Sequence, residues 1–200
     1  MTSFPTSMFE SPTQFRPSAK SELADEIWKN AAEGMPVLCQ NDVQYVLDGG
    51  AILHIIPWQR GTTFAMILKT YADYINKRYG QSPMIVFDGY PKPSTKDLEH
   101  LKRGSKISYP TVEFTPETQL LSKKEDFLAN IDNKKRFVAY LGLFLKQHSC
   151  TVINAESDAD VVVVDQALKS AQSNVTVVVA DDTDILILLC SQATSDLKPI

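Results

Sequence analysis

Four short apolar runs, at residues 43–47, 84–87, 150–153 and 175–179, dominate the pattern of this chain. An acid follows each of them at once or within three residues: Asp48, Asp88, Glu156 and Asp182. Stretches with helical spacing lie between the runs. Residues 61–79 place Phe64, Ile67, Leu68, Tyr71 and Ile75 on one face, and residues 123–147 do the same with Phe127, Ile131, Val138, Leu141 and Leu145. Residues 158–171 and a segment from 185 read as further helices. Strands that are apolar throughout and alternate with helices imply a parallel sheet covered on both faces. The expected fold is therefore α/β, with four to five parallel strands between two layers of helices.

In a parallel sheet the C-terminal strand ends share one edge, and ligands bind there, where the strand order reverses. The four acids would meet at that edge, joined by Asp158 beside Glu156 and by Asp184 beside Asp182. Carboxylates brought so close repel one another and are costly to desolvate, so such a site calls for cations. Oxygen-only ligands suit Mg²⁺ or Mn²⁺, and no His or Cys lies near these acids in sequence, which disfavours zinc. One or two such ions could drive phosphodiester hydrolysis, activating a water and stabilising the leaving oxygen.

Taken singly, these acids have a plainer explanation. An Asp after a strand is usually a helix cap or turn residue, and Asp48 alone reads that way. Asp181 reads as capping the next helix or pointing away, and Asp160, two residues beyond Asp158, as a third ligand or, more simply, as a solvated helix residue. Capping does not explain why all four strand ends are acidic at once.

A second constellation lies in residues 92–106, where Lys92, Lys96, Lys102, Arg103 and Lys106 outnumber Asp97 and Glu99. Lys96 and Arg103 are seven apart and would share a helical face able to hold phosphate. A solvated loop reads equally well. Lys134, Lys135 and Arg136 read as the exposed face of the long helix. His54, His100 and His148 lack ligand spacing, Trp28 and Trp58 read as packing residues, and Ser157 has no His partner for a hydrolase triad.

Residues 1–20, with Pro5, Pro12 and Pro17, read as an irregular arm, and residues 21–33 as a helix capped by Ser21 and ended by Gly34 and Pro36. Residues 1–35 are thus an arm and helix, and 36–200 the main domain. The net charge of −4 argues against a general nucleic-acid binder, although the acids are clustered. Three scattered cysteines, Cys39, Cys150 and Cys190, point to a reducing compartment, nuclear or cytoplasmic. No apolar run approaches the roughly 20 residues that span a bilayer, and the N-terminus lacks signal-peptide character.

Several of these segments follow the order of a known family. VLDGG closes the first strand at Asp48, and VFDGYP at 86–91 closes the second. Lys96, Glu99 and Arg103 form Lys-x-x-Glu-x-x-x-Arg, followed by Glu156-Ser-Asp158 and Asp182-Thr-Asp184. Over residues 43–190 the chain resembles the PIN-like superfamily in its flap-endonuclease branch. FPTSMF at residues 4–9 is similar to the arm of PIN-like proteins from invertebrate genomes. The resemblance implies a metal-dependent nuclease acting on DNA or RNA. Asp48, Asp88, Glu156, Asp158, Asp182 and Asp184 would hold one or two Mg²⁺ or Mn²⁺ ions, and Lys96 and Arg103 the scissile phosphate. Flap endonucleases carry another metal-binding Asp and a helix–hairpin–helix beyond the fourth strand. The sequence stops at Ile200 before either, so a C-terminally truncated domain is expected. The alternative is a catalytically inactive PIN-like module that binds nucleic acid or a protein. A phosphatase or receiver-type domain ranks below both, because Gly49-Gly50 follows Asp48 where an Asp-x-Asp would be needed.

Overall fold

The computed structural model describes residues 9–11, 14–15, 22, 23, 25, 26, 29, 43–80, 82–89, 109–156 and 158–200. The chain divides into two compact units, Met1–Leu38 and Cys39–Ile200. In the first unit, strands β1 (Phe9–Ser11) and β2 (Gln14–Phe15) pair antiparallel, with Phe9 opposite Phe15. The arm is thus not irregular throughout, because part of its backbone finds partners within itself. Residues 22, 23, 25, 26 and 29 are helical, within the expected helix; Trp28 and Cys39 lie outside the described residues.

The second unit is an α/β domain. Strands β3 (Val43–Asp48), β4 (Met84–Phe87), β5 (Thr151–Asn154) and β6 (Val175–Val179) form one sheet in the order β5-β4-β3-β6. Every pairing in it is parallel. Among the described residues six helices accompany it: α1 (Gly49–Ile55), α2 (Phe64–Tyr79), α3 (Lys124–Ala129), α4 (Ile131–Gln147), α5 (Ala159–Ala171) and α6 (Thr183–Gln192).

Side chains leave a strand on alternate faces, so an apolar strand feeds two cores. Leu47, Ile85, Phe87 and Val152 face one core with Ile52 and Leu53 of α1, Tyr71 and Ile75 of α2, Phe127 of α3, and Phe137 and Leu141 of α4. Val46 and Val86 face the other, with Val163, Val164 and Ala167 of α5 and Ile185 of α6. The result is three layers, helix–sheet–helix, as the apolar runs imply.

The order of strands follows the chain. From β3 it steps outward to β4 and β5 with α1 to α4 on one face, then returns over the other face through α5 to β6, on the far side of β3. Crossovers of a single hand require that change of face when the direction reverses. The reversal lies between β3 and β6.

Three helices differ from the sequence reading. Helix α1 was not expected; it begins directly at the end of β3. Helix α2 starts at Phe64 rather than 61, because Gly61 sits at φ 81 in a turn and Thr63 caps the helix through Met66 N–H at 3.4 Å. The expected helix over 123–147 is two helices broken at Asn130. The Asn130 side chain accepts from the N–H groups of Asp132 and Asn133, both at 3.0 Å, and donates to Tyr109 O at 2.9 Å. These bonds reward a fresh helix start more than continuation. Lys134, Lys135 and Arg136 are half-buried rather than an exposed face, and Arg136 reaches Val112 O at 3.4 Å.

Candidate metal centre

The switch point between β3 and β6 carries an acid on each side. Asp48 ends β3 and caps α1, accepting from Gly50 N–H at 2.8 Å and Ala51 N–H at 3.2 Å. Asp182 follows β6 and caps α6, accepting from Asp184 N–H at 2.9 Å. Asp158 caps α5 in the same manner through Asp160 N–H at 3.2 Å. Asp88, exposed just after β4, accepts from Ala159 N–H at 3.1 Å and so serves the same helix end from another strand. The plain reading of Asp48 as a cap is therefore true, and it applies to Asp158 and Asp182 as well. The expected cap at Asp181 belongs to Asp182; Asp181 is exposed.

Capping does not exhaust these groups, since a carboxylate has about four lone-pair directions. Carboxylate oxygens of Asp160, Asp182 and Asp184 lie within 4.8 Å of one another. Asp160 is half-buried here, which corrects its reading as a solvated helix residue. The sequence held a signal for it. Asp158-Ala-Asp160 and Asp182-Thr-Asp184 are the same device, an N-cap Asp with a second Asp two residues into the helix. Used twice, on helices that start side by side, it brings both second acids together.

Electrostatics ties Asp48 into this edge. Burial pushes its carboxyl above the ordinary value, and the charges of Asp88 and Asp182 add to that, against the two backbone hydrogen bonds that pull it down. Desolvation and repulsion outweigh the capping bonds. The N-termini of α5 and α6 offset part of the negative charge through their free N–H groups and dipoles.

Glu156 is exposed in the bend after β5, the edge strand furthest from β6, and is not one of the three clustered carboxylates. Lys96 and Arg103 lie outside the described residues. Trp58 packs as expected: its ring meets Phe137 at a centroid distance of 4.5 Å, and its Nε1 donates to Tyr71 Oη at 2.9 Å.

Two glycines of the motifs have steric reasons. A Cβ on Gly49 would lie 2.7 Å from Val86 O and inside the Phe87 ring. One on Gly89 would collide with the Ala155 carbonyl, so the chain after Asp88 lies directly against the chain after β5. Side chains there would force the first two acid-bearing strand ends away from their neighbours.

Fold and site together define a doubly wound α/β domain with a carboxylate cluster at its switch point. No family model matches the chain, and no curated protein or solved structure matches it either. No helix among the described residues is long and apolar enough to cross a membrane.

Proposed function

We propose that the domain is a divalent-metal-dependent nuclease of the PIN-like, flap-endonuclease type, hydrolysing phosphodiester bonds in DNA or RNA. The observation that carries this reading is the group formed by Asp160, Asp182 and Asp184, at the edge where strand order reverses. Its donor set fits a hard cation, being all carboxylate oxygen. Ligands of a six-coordinate Mg²⁺ ion stand at most about 4.2 Å apart. The observed spread of up to 4.8 Å needs small side-chain rotations to match that. A bound Mg²⁺ or Mn²⁺ would supply a Lewis acid that activates water and offsets charge on the leaving oxygen.

Asp160, Asp182 and Asp184 are the proposed principal ligands. Asp48 and Asp88 stand beside them and fix the rim, because each also holds a backbone N–H at a helix start. Asp158 and Glu156 complete the ligand set that the resemblance implies, and Lys96 and Arg103 its phosphate contacts. A nuclear or cytoplasmic location belongs to the same reading.

The second reading is a non-catalytic module that binds nucleic acid or a protein. The caps made by Asp48, Asp158 and Asp182 favour it, since they give three of the acids a structural task. Incubating the protein with labelled single-stranded and flap oligonucleotides in Mn²⁺ separates the two. The nuclease reading expects cleavage by the wild type and none by Asp184→Asn, whose side chain is not the cap of α6. Equal activity in both proteins, or none in either, would refute it.

A further inference from the structure

A cavity of about 400 Å³ opens beside the C-terminal end of α1, the helix whose first turn is held by Asp48. Its apolar floor is made by Ile55, Pro57 and Trp58, with Ile55 48% exposed. Arg60 and Lys123, both exposed, stand on its rim, and neither forms an ion pair among the described residues. Lys124 adds a third cation from below; its ammonium donates to His54 O at 3.0 Å and Ile56 O at 2.7 Å, 5.8 Å from the centre of the Trp58 ring. Among the described residues Glu125 is the one carboxylate in the lining. Three cations against one anion make a positive spot on a chain whose net charge is −4.

The walls are held in place. Gly61 N–H donates to Leu120 O at 2.8 Å and Leu120 N–H to Thr62 O at 2.9 Å, so the segment bearing Arg60 is tied to the one leading into Lys123. A preformed concave site with an apolar floor and a few convergent charges is the usual form of a ligand site. Unpaired cations beside an aromatic and aliphatic floor suit a nucleotide, phosphate on the rim and sugar or base below. Helix α1 has seven residues, so the cavity lies about 10 Å along it from Asp48. One strand of a few nucleotides could reach both places.

We propose that this cavity binds one nucleotide unit of single-stranded nucleic acid, with Arg60 and Lys123 on its phosphate, and so positions the strand whose next phosphates reach the carboxylates. The second half of that statement rests on the nuclease reading; the binding itself does not.

Fluorescence anisotropy of a labelled oligothymidylate tests it, using the full chain in EDTA so that no divalent ion contributes. The wild type is expected to bind, and Arg60→Glu/Lys123→Glu to bind at least about tenfold more weakly, with the slope of log K against log salt shallower by about 1.4 for two lost phosphate contacts. Unchanged thermal unfolding of the variant serves as the folding control. Equal affinity and equal salt slope in the two proteins would overturn the proposal, as would no binding by the wild type. Displacement of the probe by thymidine monophosphate as effectively as by unlabelled oligonucleotide would assign the cavity to free nucleotides and overturn the strand. Loss of binding in the variant without metal-dependent cleavage by the wild type would sustain the cavity and sink the nuclease reading. Cleavage and binding that are both indifferent to the variant would do the reverse.

Discussion

Asp48 holds two demands at once. Its carboxylate satisfies the first N–H groups of α1, a stabilising task, yet burial and the charges of Asp88 and Asp182 make its ionised form costly. Such a residue is worth keeping ionised where a cation repays the cost. A contrasting case is Tyr71, whose polar group is buried for structure alone. Its hydroxyl donates to Leu53 O at 2.7 Å and accepts from Trp58 Nε1, and burial pushes its pKa far above the ordinary value. A phenol with a raised folded-state pKa contributes stability below its unfolded value near 10, and that contribution is lost as the pH rises toward the folded value. Tyr71→Phe should therefore cost about 1–3 kcal/mol at pH 7, by leaving a buried acceptor and a half-buried donor unpaired. The gap between the two proteins should narrow above pH 10. Urea unfolding at pH 7, 9 and 11 measures it, and a gap that stays constant would contradict this account.

At the scale of elements, the apolar runs made the sheet legible, since strands with apolar residues on both faces carry no alternation to confuse with anything else. The same signal left helix ends poorly placed. Asn130 breaks a continuous apolar face because its side chain competes for the backbone, a local effect that periodicity does not register. Helix α1 was hidden for another reason: its last carbonyls are satisfied from distant segments, Leu53 by Tyr71 and His54 by Lys124. Those partners stand 18 and 70 residues away, so a helix end that looks uncapped in sequence is capped in space. Gly89 belongs to this scale because it sets the contact between the Asp88 loop and the chain after β5. Gly89→Ala should cost about 1–3 kcal/mol, as overpacking against backbone does. It should also weaken any metal response, since Asp88 would be pushed from the head of α5. Thermal melts with and without Mn²⁺ check both effects. A variant as stable and as metal-responsive as the wild type would contradict the steric argument.

The molecule as a whole gathers acid at one edge by topology. Reversal of strand order between β3 and β6 brings the charge of Asp182 to bear on Asp48, and the return crossover through α5 brings Asp160 beside Asp184. That Asp48, Asp88 and Asp182 come near one another was legible in advance, because it needs only strand positions and a parallel sheet, whereas Glu156, on the far edge strand β5, does not join them. The place of Asp160 was legible only as one of two readings, because it depends on how two helices start relative to each other. The cavity at Trp58 carries no motif and is assembled from segments more than 60 residues apart. Thermal unfolding of the chain in Mn²⁺ against EDTA tests the central claim most directly, because an ion bound by the folded state alone must raise stability, by about 2.7 kcal/mol at a hundredfold excess over its dissociation constant. The account predicts a rise of several degrees in the wild type that is lost in Asp160→Asn and Asp184→Asn. Identical melting in Mn²⁺ and EDTA, or a rise of equal size in both variants, would contradict it.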